Sequence, residues 1–377
     1  GKFFGEKIMS VQVSYKKQIV FYALLLIIFL TALEIIANVW WINETKCSFM
    51  NNEVFADMDA EKLAEICSDR TNLKMNEFLI LPNQDFASIH INNFGFRGSD
   101  FKVEKEENTI RIFFVGGSTA LGAESSSDNT TIPGYLEKFF NEIDMKNNVQ
   151  VVNAGKDGFA SLTEKAMIFD KIQYLNPDIV IMYDGWNNIR ADYSPKFSKS
   201  HWNDVCDLGK NNGFESIIML QPTLTFGEKP LTKQEYSNYL TDTDHFGYKM
   251  SLKKDMYDEY AKVMNELSNC TSTFDLRNVF QNTTEPVYYD GGHMVDNGNE
   301  IIAKRIFDLL KEDIKNKEPN QNSIILTPNF IEESNSNNLQ IQEKDEIDEK
   351  INVSKIYKQL IGILTFYKTP TFLESLI

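Results

Sequence analysis

Short apolar runs alternate with amphipathic stretches over the middle of this chain, from about residue 109 to residue 313. Runs of a few apolar, partly β-branched residues bounded by turn residues read as buried strands. They fall at 109–115, 149–153, 178–183, 215–220 and 272–276. Stretches with helical periodicity lie between and after them, at 131–143, 161–174, 197–212, 246–268 and 296–313. Helix starts carry Ser, Thr or Asn near the cap, as at Ser161 with Glu164 three residues on. Regular β–α alternation calls for a parallel sheet covered on both faces, an α/β sandwich of three α/β/α layers. Gln221 to Phe246 is a longer insertion after the fourth strand, containing Pro222, Phe226, Pro230, Tyr236 and His245. Two readings of it stay open, a wall of a substrate pocket or a surface excursion.

Outside this region the pattern changes. Residues 18–42 are almost free of charge, with Glu34 the one interruption and Trp40 and Trp41 near the end. About 20 apolar residues span a bilayer, and tandem Trp suits its interface. Lys16 and Lys17 precede the run, so the positive-inside rule puts residues 1–17 in the cytoplasm and everything after residue 42 outside. The expectation is a single-pass cell-membrane protein with the lipid bilayer as partner of residues 18–42. A cleaved signal peptide competes, although the run is long for one and no small-x-small site follows. Residues 43–100 read as an extracytoplasmic lead-in with a short helix near Asp59–Cys67, and 101–314 as the main domain. Residues 315–350 are rich in Asn, Gln, Glu and Lys and read as an acidic, Asn-rich linker. Residues 351–377 recover an amphipathic helix, with Val353, Ile356, Tyr357, Leu360, Leu364 and Tyr367 on one face. That helix suits docking on the domain, on an envelope protein partner or on a membrane surface.

The net charge of −16 argues against nucleic acid as a partner, and no dense Lys/Arg stripe appears. The four cysteines, Cys47, Cys67, Cys206 and Cys270, can pair as Cys47–Cys67 and Cys206–Cys270 outside the cell, or stay as thiols in a reducing compartment. The segment between Cys47 and Cys67 reads as a loop without core residues of its own. No Cys-x-x-Cys or Cys/His cluster suggests a metal, and no cofactor is expected. Asn-x-Ser/Thr sites at Asn43, Asn129, Asn269, Asn282 and Asn352 are glycosylation candidates if the domain is outside. His90, His201 and His245 lack paired ligand spacing and read as structural or surface residues.

The candidate chemistry sits at the ends of the strands. Arg-Ile-Phe-Phe-Val-Gly-Gly-Ser-Thr (111–119) is a strand ending in a Gly-Gly turn that presents Ser118. Tyr-Tyr-Asp-Gly-Gly-His (288–293) puts Asp290 three residues before His293. A serine hydroxyl is a weak nucleophile at neutral pH; an imidazole must take its proton and a carboxylate must hold that imidazole in the right tautomer. Val-Val-Asn-Ala-Gly-Lys-Asp-Gly-Phe-Ala-Ser (151–161) and Ile-Val-Ile-Met-Tyr-Asp-Gly-Trp-Asn-Asn (179–188) end further strands in Gly-containing turns. All three turns then open at the carboxyl edge of a parallel sheet, where α/β folds place their sites.

These four blocks, in this order, resemble the SGNH/GDSL hydrolase family over residues 109–312. The resemblance implies a flavodoxin-like SGNH fold. It implies Ser118 as nucleophile, His293 as base and Asp290 as its orienting carboxylate. The oxyanion donors it implies are the N–H groups of Ser118 and Gly158 and the side-chain amide of Asn187. One such donor is worth roughly 3–4 kcal/mol in the transition state. Gly117 stands where the family often has Asp, and Asn188 where Asp is usual. The segment Asn92-Asn93-Phe-Gly-Phe-Arg-Gly98 resembles a lead-in of membrane-anchored members. The implied activity is a serine esterase acting on small acyl esters, such as acetyl groups on surface glycans. Two alternatives remain: an O-acyltransferase that uses the same triad on a glycan acceptor, and a catalytically silent SGNH-fold envelope protein with a binding or structural role.

Overall fold

The computed structural model describes residues 14–45 and 47–320. The linker beyond residue 320 and the expected helix at 351–377 lie outside the described residues.

Helix α1 runs Tyr15–Thr45 and carries an apolar stretch, Tyr15–Val39, none of which is buried within the chain. By length and composition it is a candidate membrane span. Two 3₁₀ turns, Ser48–Asn51 and Glu53–Phe55, lead to helix α2, Ala60–Asn72, capped by Asp59 on the Lys62 N–H at 2.7 Å. Here the structure corrects the sequence reading. The segment between the cysteines has its own core, in which Phe49, Phe55, Leu63 and Ile66 pack with Val295. Two short strands, β1 (Gln84–Asp85) and β2 (His90–Ile91), pair antiparallel.

The main domain then alternates as expected: β3 (Thr109–Gly116), α3 (Ser118–Leu121), α4 (Ile132–Asn141), β4 (Asn148–Gly155), α5 (Ser161–Asp170), β5 (Ile179–Asp184), α6 (Trp186–Arg190), α7 (Pro195–Asn212), β6 (Glu215–Leu220), α8 (Lys233–Thr241), α9 (Lys254–Met264), β7 (Ser272–Asp275) and α10 (Asp296–Lys315). The five long-range strands form one parallel sheet in the order β4-β3-β5-β6-β7. Strand side chains alternate between two cores. Phe113, Val115, Val180 and Met182 face α5, α7 and α9 through Ile168, Trp202 and Tyr257. Ile112, Phe114 and Ile181 face α4 and α10 through Leu136, Phe140, Ile306 and Phe307. This is a three-layer α/β/α sandwich.

The sheet order reverses at β3, which has β4 on one side and β5 on the other. Ligand sites of open parallel sheets form at such switch points. Register puts Gly116 opposite both Gly155 and Tyr183, so the three turns leave the sheet at one level.

All four cysteines are paired, Cys47 with Cys67 and Cys206 with Cys270, with Cα separations of 5.4 and 4.6 Å. The broad helix expected over 246–268 is a 3₁₀ turn at Met250–Lys253 followed by the shorter α9. Helix α8, inside the insertion, was not expected, although Thr232 and Glu235 spell a capping box.

Candidate active site

Ser118 is the first residue of α3, directly after the Gly116–Gly117 turn. The turn is tight for a steric reason: a Cβ on Gly117 would lie 2.4 Å from Asn187 Nδ2. A side chain at 117 would therefore push the Asn187 amide away from Ser118. The Ser118 Oγ lies 2.6 Å from His293 Nε2, and His293 Nδ1 lies 2.7 Å from Asp290 Oδ2. Asp290 Oδ1 accepts the N–H groups of Gly292 and His293, both at 2.8 Å. Burial raises the Asp290 pKa, but the His293 charge and these hydrogen bonds outweigh it and hold the carboxyl at about 2. A carboxylate ionised at neutral pH requires a proton on Nδ1, which leaves Nε2 free to accept from Ser118.

The Ser118 and Gly158 N–H groups have no acceptor among the described residues. Gly158 adopts φ +74°, a left-handed conformation that favours glycine, and nothing lies within 4 Å of where its Cβ would be. Asn187 Nδ2 donates one hydrogen to Phe159 O at 2.7 Å, which fixes the amide and leaves the second hydrogen free. Every residue singled out for chemistry therefore stands at the carboxyl edge of the sheet or on the loop before α10.

Asn188, which differs from the residue usual in the family the sequence resembles, is fully buried and fully bonded. Its Oδ1 accepts from Ser161 N at 2.8 Å; its Nδ2 donates to Asp184 Oδ2 at 2.9 Å and Ser198 Oγ at 3.1 Å. Asp184 Oδ2 also accepts from Trp202 Nε1 at 2.8 Å. Burial pushes Asp184 up to about 6 despite these donors. His201 Nδ1 lies 2.9 Å from Ser161 Oγ, and burial pushes the imidazole down to about 4. His201 is thus a structural histidine within the domain.

Residues to which the sequence assigned no role at the site surround it. The Arg97 side chain is wholly buried and donates to Leu121 O at 3.1 Å and to Gly122 O, which caps the open carbonyl end of α3. It also reaches Ser88 O and Asp128 Oδ1, both at 2.7 Å. The Asn92–Gly98 lead-in motif thereby supports the Ser118 helix. The insertion braces the His293 loop: Leu224 N donates to Gly291 O at 3.0 Å, and buried Glu235 Oε1 accepts from Val287 N and Tyr288 N at 3.0 and 3.2 Å. Asp242 lies against Gly291 and is pushed up to about 6, chiefly by burial, with Arg190 opposing and Asp290 adding to the rise. The insertion thus packs on the loop that carries Asp290 and His293, a placement that neither reading of its sequence anticipated.

Fold and site together define an α/β sandwich with a serine, a histidine and an aspartate in hydrogen-bonded series at its switch point. No protein-family model and no curated protein matches the chain. Among solved structures it is similar to an acetyl xylan esterase (14% identity, TM-score 0.40, 53% of this chain and 100% of that one). It is also similar to an acetylxylan esterase from Geobacillus stearothermophilus (16%, 0.40, 55% and 95%). A third is an alpha/beta hydrolase enzyme from the metagenome of Lake Arreo, Spain (15%, 0.39, 53% and 94%).

Proposed function

We propose that this chain is a membrane-anchored, extracytoplasmic serine esterase of the SGNH type that removes small acyl groups, such as acetyl, from surface glycans. The observation that carries the reading is the relay Ser118 Oγ, His293 Nε2, His293 Nδ1, Asp290 Oδ2, with contacts of 2.6 and 2.7 Å. In this mechanism Ser118 attacks the ester carbonyl while His293 takes its proton. The carbonyl oxygen becomes an oxyanion held by the N–H groups of Ser118 and Gly158 and the amide of Asn187. The imidazolium then protonates the leaving alcohol. Water, deprotonated by His293, releases the acid from Ser118.

Three features support the location. The candidate span Tyr15–Val39 is exposed within the chain and carries Lys16 and Lys17 at its N-terminal end. Both cysteine pairs are bonded, as suits an oxidising compartment. Asn129, Asn269 and Asn282, three of the glycosylation candidates, are exposed.

Labelling of Ser118 with a fluorophosphonate probe, against Ser118→Ala as control, tests the enzyme reading; an unlabelled wild type would leave the silent envelope protein. Acetate release from an acetylated glycan, with and without a second glycan as acceptor, separates hydrolysis from transfer. Retention in the membrane pellet after alkaline extraction separates an anchor from a cleaved signal.

A further inference from the structure

The imidazole of His293 is stacked on the ring of Tyr289, with centroids 5.4 Å apart and planes 14° from parallel. Tyr289 meets Phe49 and Phe55 at 6.0 and 5.9 Å. Those two rings are 5.2 Å from each other. The backbone of Tyr289 is held as firmly as its ring. Its carbonyl accepts two side-chain amides from different parts of the chain, Asn52 Nδ2 at 2.8 Å and Asn238 Nδ2 at 3.0 Å. Its N–H donates to His293 O at 3.1 Å. Phe49, Asn52 and Phe55 all lie in the segment closed by Cys47–Cys67, and Cys47 follows the last residue of α1 by two positions. That segment is joined to α8 as well, through Glu53 N to Gln234 Oε1 at 2.9 Å and a Thr232–Glu53 hydrogen bond.

The Tyr289 hydroxyl is buried and has no hydrogen-bond partner among the described residues. The ring face, and not the phenol, is what this residue offers its neighbours. A histidine that must alternate between Ser118 and the leaving group needs its ring plane fixed, because a misplacement of about 1 Å can cost roughly 10²-fold in rate.

We propose that Tyr289 is a positioning residue for His293, and that the Cys47–Cys67 segment is the clamp that holds it. The geometry of the Ser118–His293–Asp290 relay then depends on a disulfide that lies beside the membrane helix and not in the main domain. The proposal rests on the esterase reading for its kinetic consequences alone; the positioning itself has a spectroscopic readout.

The test uses the full chain in detergent micelles. Tyr289→Phe keeps the ring and should stay within about twofold of wild type in kcat. Tyr289→Leu should lower kcat by roughly ten- to a hundredfold with KM changed much less. The double variant Cys47→Ser/Cys67→Ser, which retains Cys206–Cys270, should fall in the same direction; Phe49→Ala tests the same clamp if that variant fails to accumulate. In proton NMR the His293 Nδ1–H donated to Asp290 should stay sharp in wild type and Tyr289→Phe, and broaden or vanish in Tyr289→Leu and the clamp variants. Wild-type kcat and an unchanged Nδ1–H resonance in Tyr289→Leu would overturn the proposal, as would a Tyr289→Phe variant as impaired as Tyr289→Leu. Loss of the resonance in the variants, with Ser118 inert to fluorophosphonate in the wild type as well, would uphold the clamp and overturn the esterase reading.

Discussion

The N–H of Ser161 donates to Asn188 Oδ1 at 2.8 Å, and together with the Asn187 Nδ2 bond to Phe159 O it ties the start of α5, just after Gly158, to α6, which carries Asn187. The other end of the Asn188 amide donates to Asp184, which is itself buried. Asparagine is required here because the side chain must accept at one end and donate to a carboxylate at the other. Asn188→Asp, which restores the residue usual in the resembling family, keeps the acceptor but sets a second carboxylate against Asp184. We expect it to lower stability by about 2–4 kcal/mol in urea denaturation, as a buried pair left without its donor does. An Asn188→Asp variant as stable as wild type would show that Asp184 does not need this donor.

Ser118→Ala should abolish ester turnover and probe labelling while leaving the thermal midpoint near that of wild type, because among the described residues the hydroxyl it removes hydrogen-bonds to His293 alone. Asn187→Ala removes one of the proposed oxyanion donors and should cost on the order of 10²–10³ in kcat, with a smaller change in KM. Steady-state kinetics on a soluble acetyl ester measure both.

Arg97→Met should be strongly destabilising, by about 3–5 kcal/mol, because it strands Asp128 and the carbonyls at the end of α3 that the guanidinium satisfies. Activity should fall together with stability, since the same carbonyls belong to the helix that starts at Ser118. Equilibrium denaturation followed by tryptophan fluorescence reports the first effect.

Stability should carry opposed pH components from Asp184 and His201. Asp184 titrates at about 6 in the fold against 3.8 when exposed, so the folded state holds its proton longer. Its contribution is fully present below pH 3.8 and is lost as pH rises through 6. His201 titrates at about 4 against 6.5, so its contribution is present above pH 6.5 and is lost as pH falls through 4. In Asp184→Asn the first component disappears. Its unfolding free energy should therefore climb relative to wild type by up to ~3 kcal/mol between pH 4 and 7. Parallel difference curves over that range would exclude Asp184 as the titrating group.

The Cys206–Cys270 bond closes a sequence separation of 64 residues and joins α7 to the segment before β7. Replacing both cysteines by serine should lower stability by about 4 kcal/mol in the chain-entropy account of cross-links. Thermal unfolding without reductant measures this, and peptide mapping of the unreduced protein should recover both pairs.

The fold and the order of the site residues were legible in the sequence because both are local. A buried parallel strand is a short apolar run, its exit is a glycine turn, and Ser118, Gly158 and Asn187 each stand a few residues beyond such an exit. Asp290 and His293 are three residues apart, so their pairing too is written in one segment. Tertiary structure alone decided what steadies those residues. Arg97 beneath the Ser118 helix, Asn188 against the start of α5 and Phe49 and Phe55 against Tyr289 depend on contacts between segments tens to hundreds of residues apart, which no periodicity reports. The segment between Cys47 and Cys67 looked empty because its few apolar residues are spaced too irregularly to show a face. It acquires a core only when Val295 and Tyr289 arrive from the other end of the domain to cover them.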